Sequence, residues 1–124
     1  GTAEVSASFG TSLALAADGT VLAVGATGDT GDATGIDGAR SDAETFAAGA
    51  AYVFVRTGTG TWSQQAYVKA SNTAERQSFG RRVALTGDGR TLTVGADGEA
   101  SGAAGIGGDQ NDSSADRAGA AYLY

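Results

Sequence analysis

Shifted along itself by about 70 residues, the chain superimposes Phe9–Phe54 on Phe79–Tyr124 without a gap, with about 21 of 46 aligned positions identical. The matches include Phe9-Gly10 with Phe79-Gly80, Asp18-Gly19 with Asp88-Gly89, and Val24-Gly25-Ala26 with Val94-Gly95-Ala96. Gly35-Ile36 falls on Gly105-Ile106, Asp42 on Asp112, and Ala48–Tyr52 on Ala118–Tyr122. A match of this length at one fixed offset is a duplication. It constrains the fold strongly, because one short unit leaves a hydrophobic face open and stacked units cover each other.

Within each copy the apolar residues recur with the period of two that marks a half-buried strand. Residues 8–15 pass through Ala17-Asp18-Gly19 into residues 20–26, and Asp-Gly between alternating apolar runs is a hairpin signal. A loop rich in Gly, Asp, Ala and Thr follows, then a strand over 49–56 and a fourth over 61–71 carrying Trp62, Tyr67 and Val68. The pattern restarts at Ser78, and the second copy reaches Tyr124 after its third strand. The expectation is an all-β chain of four plus three antiparallel strands, divided as 1–71 and 72–124. Residues 1–8 resemble the stretch 72–78, both carrying Thr-Ala-Glu, and so do not supply an eighth strand.

Composition narrows the partners. Fourteen acidic residues against eight basic give a net charge of −6, which disfavours nucleic acid and anionic membranes. No apolar run approaches the roughly 20 residues of a membrane-spanning helix. The absence of Met from the chain leads to the expectation of a processed or excised piece. With no His and no Cys, the commonest general base and the thiol nucleophile are missing, and the chain is expected not to be an enzyme.

The residues that open and close the first hairpin of each copy resemble the FG-GAP repeat, found in integrin α-chain propellers and in bacterial surface proteins. Phe9-Gly10 with Gly25-Ala26, and Phe79-Gly80 with Gly95-Ala96, stand as the repeat's signature, and Gly-Ala-Ala-Tyr occurs at 49–52 and 119–122. The stretch Trp62–Ala70 is similar to bacterial members. The resemblance implies antiparallel four-stranded β-propeller blades, the second lacking its last strand, and a role in cell-surface adhesion or protein binding outside the cell. The Pro of Gly-Ala-Pro is replaced by Thr27 and Asp97. The family's calcium loop is reduced to Asp18-Gly19 and Asp88-Gly89, with Ala16 and Thr86 where a preceding acid would stand. One carboxylate falls short of the roughly six to eight oxygens Ca²⁺ takes, so that site is not carried over.

The acid lies mostly in the long loops. Asp29, Asp32, Asp37, Asp42, Asp109 and Asp112 are candidate Ca²⁺ ligands on Gly-rich backbone, set against a solvated acidic loop in which Asp42 and Asp112 hydrogen-bond backbone. Tyr52, Trp62 and Tyr122 are expected in inter-blade packing. Arg81-Arg82 are expected in a surface or inter-blade salt bridge. Two blades leave outer faces bare, so copies are expected to associate, about three or four closing a ring; the rival is that the chain is part of a longer propeller. The leading functional expectation is a non-catalytic structural or interaction module. A Ca²⁺-binding module and a carbohydrate-binding propeller are the alternatives.

Overall fold

A computed structural model describes residues 7–39, 41 and 43–124 of the chain. Its regular structure is strand: β1 (Phe9–Leu15), β2 (Val21–Ala26), β3 (Ala50–Arg56), β4 (Trp62–Val68), β5 (Phe79–Leu85), β6 (Leu92–Ala96) and β7 (Ala120–Leu123). They form a four-stranded sheet in the order β1-β2-β3-β4 and a three-stranded sheet in the order β5-β6-β7, with neighbours antiparallel. This is the all-β, blade-like arrangement expected.

The duplication extends to backbone detail. In both sheets the first hairpin shifts register just after its Phe-Gly, between Phe9 and Ser12 and between Phe79 and Arg82. The glycine supplies the positive φ at that bulge, +92° at Gly10 and +91° at Gly80. The hairpin turns are held alike. Asp18 Oδ1 accepts from Thr20 N at 3.0 Å, and Asp88 Oδ1 accepts from Arg90 N at 3.1 Å. These two aspartates are turn-formers, binding backbone two residues on.

Strand pairing sorts each sheet into two faces. In the first sheet, Ala14 pairs with Ala23, and Ala51 pairs with both Gly25 and Val68, so these small residues share a face. That face lies against Phe79, Leu92, Val94 and Ala96 of the second sheet, with Val83, Leu85, Tyr122 and Tyr124 at its edges. Large residues on one sheet thus meet small ones on the other, which lets the backbones approach closely. A Cβ built on Gly25 would stand 2.0 Å from Gly80 O, and one on Gly80 would stand 2.3 Å from Ala50 O. Ser12 Oγ donates across the same seam to Gly80 O at 2.7 Å.

Gly25 and Gly80 are therefore contact points of the two sheets. Gly25→Ala is expected to destabilise the chain by about 2–3 kcal/mol, because the obstruction is backbone and cannot rotate away. Gly10→Ala meets open space and faces only the positive φ, a cost of about 1–2 kcal/mol. Urea denaturation of the two variants checks the difference.

Candidate interaction surface

The second repeat buries an aromatic trio at the seam. The Phe79 ring meets Tyr122 edge-on at 5.3 Å between centroids and Tyr124 at 6.2 Å, and Phe79 is fully buried. The first repeat builds the same trio from Phe9, Tyr52 and Phe54, with the same separations of 5.3 and 6.2 Å. Its surroundings differ. Phe9 is 57 % exposed, and Leu13 and Leu15, at the positions of Val83 and Leu85, are 65 % and 59 % exposed. The first sheet thus presents the face that the second sheet packs, prepared in the same way and open. On the far side of the second sheet, Ala84, Ala121 and Leu123 correspond to Ala14, Ala51 and Val53 of the seam, and all three are exposed.

Beneath the open trio lies a buried polar cluster. Lys69 is fully buried and its Nζ lies 3.1 Å from Asp29 Oδ1. The same carboxylate accepts from Tyr67 OH at 2.6 Å, Tyr52 OH at 2.8 Å and Gly31 N at 2.9 Å. Burial pushes the Asp29 carboxyl upward in pKa, but the Tyr67 hydrogen bond, the Lys69 charge and the Gly31 and Tyr52 bonds outweigh it and hold it below the ordinary value. The pair ties the loop after β2 to the end of β4. It is an anchor, with its charge already balanced.

The repeat-equivalent acid in the second sheet is Glu99, 2 % exposed. It accepts from Asn72 Nδ2 at 3.0 Å and from Ser101 N and Oγ at 3.0 and 2.9 Å. Tyr122 OH donates to Asn72 Oδ1 at 2.5 Å. Desolvation, with the Glu99 charge adding to it, pushes the Tyr122 phenol up to about 12.

The other acids proposed as ligands lie in loops and bind the chain itself. Asp32 accepts from Ser41 N at 2.9 Å and from its hydroxyl. Asp37 Oδ1 accepts from Tyr67 N at 2.8 Å, pinning the loop alongside β4. Asp109 accepts from Asn111 N at 3.0 Å, and Asp112 accepts from Gly102 N at 3.2 Å and Ser114 N at 3.0 Å. Asp42 lies outside the described residues. Among the described residues, no group of three or more His, Cys, Asp or Glu gathers as a metal ion would require.

Of the aromatic residues expected at the seam, Tyr122 lies there, while Tyr52 is buried in a separate cluster of the first sheet with Ala26, Ala33, Ala50 and Tyr67. Trp62 lies apart, 41 % exposed at the start of β4, with the Arg56 guanidinium 6.0 Å from its ring centroid. Arg81 Nε stands 3.8 Å from Asp97 Oδ2, a half-exposed pair. The Arg82 guanidinium donates to Arg81 O at 3.0 Å. No helix among the described residues is long and apolar enough to cross a membrane.

Neither Lys69 nor Glu99 stood among the candidate site residues of the sequence. The available signal was that an acid recurs at the offset of the repeat, Asp29 with Glu99. An acid kept at a loop start suggests a ligand as readily as a buried anchor, and only Lys69 arriving from β4 decides between them.

Neither curated proteins nor solved structures give a match to this chain. A scan against protein families matches the FG-GAP repeat over residues 62–124, just over half of the chain. That span runs from β4 through the whole second sheet and includes Phe79-Gly80 and Gly95-Ala96, of which Phe79, Gly80 and Ala96 lie against the first sheet. The match, the bulged Phe-Gly hairpin and the blade-like sheets agree, and the chain belongs to the FG-GAP repeat family.

Proposed function

We propose that the chain is a non-catalytic structural and interaction module whose open face takes a further blade. In this reading, copies stack head to tail until about three or four close a propeller ring. One observation carries it: the same aromatic trio is buried at Phe79 and 57 % exposed at Phe9. The partner face is available within the same molecule, because the far side of the second sheet repeats the small-residue positions that cover Phe79. Such a contact is heterologous, and heterologous contacts close into rings when the rotation allows. The lack of His and Cys supports a role without catalysis. Family membership supports a place at the cell surface or outside the cell, in adhesion or protein binding.

Sedimentation velocity across the micromolar range tests this. Species at three or four times the 12.1 kDa of one chain are expected. A single species at 12.1 kDa throughout would sink the proposal.

A further inference from the structure

Arg76 and Arg117 differ from the other described arginines in their backbone. Both take left-handed φ, +61° and +57°, a region where side chains other than glycine and asparagine are uncommon. The surrounding chain holds them there. Arg76 N donates to Phe46 O at 2.8 Å, and Gly98 packs so closely on Arg76 O that a Cβ would stand 1.9 Å away. Past Arg117, Ala118 N donates to Ala115 O at 3.1 Å and Gly119 N to Glu99 O at 2.8 Å. These turns do not call for arginine. Ala47, at the repeat position of Arg117, has φ +51°, and Ser6 holds the position of Arg76 in the first copy of the sequence.

The two arginines line one cleft of about 490 Å³, together with Ala47, Glu75, Gly98 and Asp116. Both are exposed. Neither guanidinium has an ion-pair or hydrogen-bond partner among the described residues, and the same holds for the Glu75 and Asp116 carboxylates. Arg56, Arg81 and Arg82, by contrast, rest on the Trp62 ring, Asp97 and Arg81 O. The cleft thus gathers two free guanidiniums from two separate segments, each mounted on a fixed turn.

We propose that this cleft binds a carboxylate of a partner peptide, taken between the Arg76 and Arg117 guanidiniums. A guanidinium presents its N–H groups in a planar fork that matches the two oxygens of a carboxylate. Glu75 and Asp116 select among anions: they repel a dianionic phosphate and accept hydrogen bonds from the peptide N–H groups that flank a single carboxylate. The fixed turns lower the cost of ordering the site. The cleft is complete within one chain and shares no residue with the Phe9 face, so a monomer in the sedimentation experiment leaves the proposal standing.

The probe is acetyl-Gly-Asp-Gly-amide, whose one charge is a carboxylate, titrated into the ¹⁵N-labelled full chain. Saturable amide shifts are expected at residues 75–78, 98–100 and 116–118, at the millimolar concentrations that suit so small a ligand. Acetyl-Gly-Asn-Gly-amide, the same shape without the charge, is expected to leave those amides unmoved. Arg76→Gln and Arg117→Gln are each expected to weaken binding about tenfold, since a charge-assisted contact is lost. Inorganic phosphate at the concentration of the peptide is expected to leave most of it bound. Should a Gln variant fail to fold, the two peptides and phosphate on the native chain still decide. No saturable shift, an equal response to the two peptides, shifts centred outside the cleft, undiminished binding by both Gln variants, or displacement by equimolar phosphate would each overturn the proposal.

Discussion

Replacing Lys69 by Met is expected to cost about 3–5 kcal/mol of folding stability, because the variant keeps the Asp29 carboxylate buried and removes the cation that balances it. The methionine fills most of the lysine volume, so the loss measures charge rather than packing. Adding Asp29→Asn to Lys69→Met is expected to recover part of it, since an uncharged pair requires no desolvation of an ion. The pH dependence provides a second readout. The folded Asp29 carboxyl titrates below its ordinary value of 3.8, so its contribution is present above about pH 4 and lost as pH falls through the folded value. In Lys69→Met the carboxyl loses its cation and titrates higher, so the gap between variant and parent is expected to narrow on acidification. Urea midpoints from about pH 7 down to pH 3 give both results. A loss below about 1 kcal/mol at neutral pH would mean that the pair is solvated like a surface ion pair.

Phe79→Ala is expected to cost a similar 3–5 kcal/mol, for a different reason. Phe79 is fully buried between two sheets, and its removal leaves a cavity at a seam of backbone and small side chains with little freedom to collapse. Phe9→Ala removes the same ring from the same trio, yet is expected to cost under about 1 kcal/mol at concentrations where the chain is monomeric. Its effect should appear in the assembly, where sedimentation at high concentration is expected to show the Phe9→Ala chain shifted to smaller species. Equal stability losses at the two positions would show that the first trio is already covered in the single chain, and would remove the basis for stacking.

Much of this architecture was legible in the residues. The offset repeat, the alternation along each strand and the two Asp-Gly turns predict seven strands, all but the fourth within one or two residues of those observed, because each depends on neighbours in the sequence. The fourth strand is shorter than the expected 61–71, ending at Val68. Past that point the backbone of Lys69 and Ala70 turns its hydrogen bonds to Gly35 in the loop, a partner no local pattern reveals. The loop acids were harder to read. Asp29, Asp32, Asp37, Asp109 and Asp112 look alike in sequence, each a carboxylate among small polar residues. They part only in space, where Asp29 meets a lysine and two tyrosines, Asp37 bonds the backbone of β4, and the others bond loop backbone.

The duplicated Phe-Gly to Gly-Ala unit alone determined that this chain is a pair of like antiparallel sheets, because turn chemistry and strand period act over a few residues. What only the tertiary structure decided is which copy of the shared surface is used. Phe9 and Phe79 have the same neighbours in sequence and the same ring contacts, yet burial depends on what lies across the sheet. Gly25 touches Gly80 across a distance that one methyl group would close. Gly10, the counterpart of Gly80, has no such neighbour among the described residues.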